Sequence, residues 1–204
     1  MDLDEAIDEL YREFARYSRP AVIDYCPHCR TGKDVAGLLT TPLRGLAAAD
    51  LDSYVLHLFG TIGDEADFRY LLPRLLELLA AGEFDEWTAE VLFRKACGRV
   101  HHPAFDAYLR ALWHAAAMAP SVFLAEICAA GRDCAPFLDS WTGPVTGLAD
   151  LVANPHRCDA LERWLAGPVP PQVLEDAVLI EIDPDVLTRL SSAYELLEWR
   201  RTSH

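Results

Sequence analysis

Apolar residues recur at steps of three and four along this chain, which is the period of an α-helix. In LDEAIDELYREFARY, the residues Leu3, Ile7, Leu10, Phe14 and Tyr17 fall on one stripe. Asp2 stands ready as an N-cap, and Arg19-Pro20 closes the segment. AVIDY is briefly strand-like and runs into the turn CPHC, residues 26–29. A short helix through VAGLL is expected from Thr31 or Asp34, broken by TTPLRGL. Asp50 then caps DLDSYVLHLF, which Gly60 and Gly63 stop.

The stretch 64–82, DEADFRYLLPRLLELLAAG, starts at an Asp64 N-cap and stops at Gly82. Pro73 lies in its middle: it either kinks one helix or, as the pattern favours, sits in the first turn of a second one, PRLLELLAA. Asp85 caps the next helix, with Gly98 near its end. His102-Pro103 opens another, which carries Phe105, Tyr108, Leu109, Leu112 and Trp113 on one face. Pro120 opens PSVFLAEICAAG, Asp133 caps CAPFLDSW, and TGLADLVAN, HRCDALERWLAG, PPQVLEDAV and DPDVLTRLSSAYELLEW follow. The expected fold is all-α: about ten helices in antiparallel pairs, as a HEAT-like α-solenoid or an irregular array. No linker divides residues 1–204, so one helical domain is expected, with a hinge only at 141–155.

Charge narrows the partners. The formal net charge is −14, and residues 1–100 and 101–204 each contribute −7. An acidity spread in this way repels nucleic acid and anionic membranes; it either serves solubility alone or attracts a basic protein. No window reaches the ~18 apolar residues of a membrane span. The acidic start MDLDEAIDEL is unlike a secretory signal, so a cytoplasmic location is expected. There the six cysteines are expected as thiols, with Cys128 a small buried apolar residue.

Several segments together carry a resemblance: CPHC at 26–29, PLRGL at 42–46, DLDSY at 50–54, TIGDEADFRYLLPRLLEL at 61–78 and WLAG at 164–167. In this order they resemble an uncharacterised bacterial family, most specifically over the first 80 residues. The chain departs from that pattern at VLHLFGTIGD, where relatives tend toward a tryptophan before Gly-Asp. The resemblance implies an all-helical fold and no known activity.

CPHC supports three readings. Cys26-Pro27-His28-Cys29 is also the active-site tetrapeptide of thiol oxidases of the thioredoxin superfamily, where a helix N-terminus and the histidine favour the thiolate. That fold needs a sheet, and no strands are legible to build one. Cys26 and Cys29 could instead supply half of a zinc site, completed by Cys97 and His101 four residues apart, with His57, His102 and His114 as further candidates. Finally, the pair could be a structural turn.

Elsewhere, His101-His102 is expected to cap a helix C-terminus. Asp64, Glu65 and Asp67 are expected as a solvated helix start, and Asp67, Arg69 and Arg74 as ion-pairing partners. The tryptophans at 87, 113, 141, 164 and 199 are expected in the core. No nucleophile elbow, HExxH, P-loop or dinucleotide fingerprint occurs. The expected function is therefore an acidic scaffold that binds a protein partner without catalysis or cofactor, in the manner of an immunity protein or antitoxin. The alternative is a thiol redox enzyme or sensor, or a zinc-stabilised module, at Cys26 and Cys29.

Overall fold

The computed structural model describes residues 1–29, 32–140, 145–153, 159–167 and 169–202. Among these the chain forms twelve α-helices and no strand; only isolated bridges at Tyr25–Ile62 and Leu58–Ile62 are β-like. No helix among them is long and apolar enough to cross a membrane. Contacts gather into two compact units, Met1–Ala117 and Met118–His204.

The first unit holds α1 (Leu3–Phe14), α2 (Lys33–Thr40), α3 (Ala48–His57), α4 (Glu65–Ala80), α5 (Glu86–Arg99) and α6 (Pro103–His114). Helix α1 packs on α4 and α6, and α3 on α2, α4 and α5. Leu10, Phe68, Leu72, Phe93, Phe105 and Tyr108 are buried in this unit. Tyr108 donates its buried hydroxyl to the Leu76 carbonyl at 2.9 Å.

Helix ends follow local rules. Asp2 and Glu5 form a reciprocal capping box, and Asp85 accepts the Thr88 N–H. Gly82, at φ +69°, ends α4: its N–H reaches Leu79 O and the Glu83 N–H reaches Leu78 O, a Schellman closure.

Three expectations are corrected. Helix α4 is unbroken through Pro73. Pro73 cannot donate to the carbonyl four residues back, yet Leu71, Leu72, Leu75, Leu76, Leu78 and Leu79 are all buried along the same helix. That burial outweighs the lost bond. Asp50 sits inside the first turn of α3, and its carboxylate reaches back to the Ala47 N–H at 2.9 Å. Helix α1 ends at Phe14, which leaves Tyr17 beyond it to accept a hydrogen bond from Arg69 at 3.3 Å.

The second unit holds α7 (Pro120–Ala129), α8 (Ala135–Asp139), α9 (Val145–Ala153), α10 (Asp159–Leu165), α11 (Val169–Ile180) and α12 (Pro184–Thr202). Helix α9 packs on α7, α11 and α12, while α10 packs on α8 and α11. Of the expected hinge, 145–153 forms α9, and the remainder lies outside the described residues.

Trp87 and Trp199 correct the expectation of five core tryptophans: they are 62% and 64% exposed. Trp87 lies in the first turn of α5 and Trp199 in the last turn of α12. Trp113 and Trp164 are half-buried, and Trp141 lies outside the described residues.

Cys128 is also corrected: it is half-buried and disulfide-bonded. The chain turns at Gly131, φ +68°, and brings the Cys134 thiol, which is not part of that disulfide, to 2.8 Å from Cys128 Sγ. Cys158 lies outside the described residues.

Candidate thiol site and the loop that holds it

The CPHC turn is moored by backbone pairing. The Cys26 N–H donates to Thr61 O at 2.8 Å, and the Gly63 N–H to Asp24 O at 2.7 Å. Ile23, 1% exposed, anchors the segment in the core. The strand-like AVIDY therefore makes a single bridge to the 58–63 loop and no sheet.

Gly63 is required in that loop. Its φ is +66°, and a Cβ there would lie 2.9 Å from the Tyr54 ring. Tyr54 is fully buried, and its hydroxyl has no hydrogen-bond partner among the described residues. Burial, reinforced by the Asp67 charge, holds this phenol well above its ordinary value. Asp67, 5% exposed, accepts the Asp64 N–H at 3.2 Å and donates its own N–H to Asp64 Oδ1 at 3.0 Å. Burial pushes its carboxyl up to about 6 despite that first hydrogen bond, helped by the Asp64 and Asp24 charges. The expected solvated helix start thus contains one buried acid.

Within the turn, the Cys29 N–H donates to Cys26 O at 3.1 Å. Cys26 is half-buried; His28 and Cys29 are exposed. Both cysteines are reduced. The Cys26 thiol is held below its ordinary value, first by the His28 backbone N–H, then by the Cys29 thiol and the Cys29 backbone N–H. Three donors around one sulfur stabilise a thiolate. A turn closed from residue i to i+3 also brings the two Cα atoms into disulfide range.

Of the zinc candidates outside the turn, Cys97 lies in α5 and His101 just beyond it. Cys97 is fully buried in α5, with its sulfur beside Tyr108. His101 is exposed and follows the end of α5 at Arg99, so the helix face it was to share with Cys97 does not extend that far. Among the described residues no three His, Cys, Asp or Glu side chains converge on a metal-sized site. His57 and His114 lie in the last turns of α3 and α6.

His102 caps the N-terminus of α6, where a C-terminal cap was expected. Its Nδ1 accepts the Ala104 N–H at 3.2 Å, its Nε2 lies 3.7 Å from Glu13, and its ring meets Phe14 edge-on at 5.2 Å. The Pro103 that follows fixes this role, since proline suits the first helical position.

Lys95 carried no motif signal. Its ammonium donates to Val55 O at 2.6 Å and Leu58 O at 3.1 Å, closing the C-terminus of α3 just before the mooring loop. Partial burial, then Arg99, holds its pKa below the ordinary value.

No family model, curated protein or solved structure matches the chain.

Proposed function

We propose that Cys26 and Cys29 form a redox-active dithiol that exchanges with a disulfide of a protein partner. The observation that carries this reading is the moored, exposed turn that sets Cys29 three residues from Cys26 with its N–H on Cys26 O, and the lowered Cys26 thiol agrees with it. The Cys26 thiolate attacks one partner sulfur, and the other leaves and takes up a proton. Cys29 then loses its proton and attacks Cys26 in the mixed disulfide, expelling the second partner sulfur. Two electrons and two protons reach the partner, which becomes a dithiol, and a Cys26–Cys29 disulfide remains.

The test is the rate of alkylation by iodoacetamide against pH in Cys29→Ser and Cys26→Ser chains, together with zinc analysis of the purified wild type. Cys26 in the Cys29→Ser chain should titrate below the free-thiol value of about 8.5. A midpoint at or above that value, or one bound zinc per chain lost on substituting both cysteines, overturns the reading.

A second reading is supported by the charge of −14 divided evenly along the chain. Here the helices act as a HEAT-like scaffold of antiparallel pairs that masks a basic partner, as an antitoxin would, with no bond chemistry. Binding that survives substitution of both Cys26 and Cys29 by serine supports it, and binding lost with the thiols argues against it.

A further inference from the structure

We propose that the turn between α11 and α12 docks a basic, apolar segment of a partner protein, an inference that rests on the second reading above and gives it a location. The buried stripe of α11 runs through Pro170, Pro171 and Leu174. Leu179 and Ile180 lie off that stripe in the last turn, and Ile182 follows in the connection. These three are 76%, 80% and 93% exposed. Single exposed aliphatics on a surface need no explanation, but three large ones within four residues, each more than three-quarters exposed, concentrate apolar surface in one turn.

The turn is also pre-shaped. Glu181 Oε1 accepts the N–H groups of Ile182 and Asp183, each at 2.8 Å. Asp183 Oδ1 then caps α12 by accepting from Asp185 at 2.9 Å and Val186 at 3.2 Å. Local side chains therefore hold the backbone that presents Ile182, and a partner meets a surface whose ordering cost is already met.

The charge around the patch selects the occupant. Glu175, Asp176, Glu181, Asp183 and Asp185 surround it in sequence, and no base occurs between residues 175 and 188. The nearest one beyond, Arg189, is paired with Asp150 at 2.5 Å. A second copy would bring the same five acids against each other, and an anionic membrane would repel them. A helix with leucines on one face and lysines at its edges satisfies both the apolar centre and the acidic rim.

The probe is a fluorescein-labelled 18-residue Lys/Leu amphipathic peptide, read by anisotropy against the full chain. Two variants carry the test. The first replaces Leu179, Ile180 and Ile182 by serine. The second is Glu175→Gln, Glu181→Gln, Asp183→Asn and Asp185→Asn, which removes charge but keeps the Glu181 and Asp183 acceptors. All these side chains are exposed or at the turn, and circular dichroism verifies that both variants keep their helix content. Each variant should bind at least tenfold more weakly, and the charge variant should lose most of the salt dependence. If the wild type binds and both variants bind within twofold of it, the site lies elsewhere while the partner-binding reading stands. No binding by the wild type overturns both. A wild-type dimer in sedimentation, or vesicle binding, that the serine variant abolishes overturns the proposal in favour of a second copy or a lipid surface.

Discussion

Asp67 should make the first unit more stable as the pH falls. Its carboxyl is 5% exposed, at the start of α4, against the Tyr54 ring and the Gly63 turn. Burial is the main cause of its rise from 3.8 to about 6, and the Asp64 and Asp24 charges add to it. The folded pKa lies above the unfolded one, so the protonated acid is the form the fold prefers. The associated stability is complete below 3.8 and is lost as pH rises through about 6. Moving a carboxyl over that interval corresponds to about 3 kcal/mol. Asp67→Asn removes the ionisation and retains an oxygen to accept the Asp64 N–H. In urea unfolding followed by tryptophan fluorescence, wild type and variant should have similar stability at pH 4. By pH 7.5 the variant should be the more stable by about 2–3 kcal/mol. A difference that stays flat across this range, or one that turns in favour of wild type as pH rises, would refute the assignment of a buried, reluctant carboxylate.

Two further substitutions probe the supports of the site. Lys95→Met removes the charged donor to Val55 O and Leu58 O and should cost about 2–3 kcal/mol in urea unfolding, while a change within 0.5 kcal/mol would deny the cap any weight. His102→Ala should cost about 1 kcal/mol by leaving the Ala104 N–H unanswered, and His102→Asn should recover most of it, since asparagine is a good N-cap; equal losses in the two would point to the ring's packing on Phe14 instead.

What could be read from the chain in advance is what one helical turn decides for itself. The stripe of Leu3, Ile7, Leu10 and Phe14 needs only the 3.6-residue period. The caps at Asp2, Asp64 and Asp85 and the closure at Gly82 involve residues no more than about five apart. The CPHC turn stood out for the same reason, because its two sulfurs are close in sequence. Its mooring did not, because Thr61 and Gly63 lie more than thirty residues away.

Tertiary packing decided the rest. Pro73 reads locally as a break, yet the buried leucines on both sides of it keep α4 whole, since burial summed over a helix exceeds one backbone hydrogen bond. The Asp67 carboxyl reads as a solvated cap, and only its burial in the folded chain, with the Asp64 and Asp24 charges, makes it reluctant to ionise. Trp87 and Trp199 fall within helices and still face outward, because periodicity names a face without saying whether anything covers it. Sequence therefore determined that the chain is helical and where its locally capped ends at Asp2, Asp64, Asp85 and Gly82 fall, through forces that act within a few residues. Which acid is desolvated and which proline is tolerated depended on groups that only the folded chain brings together.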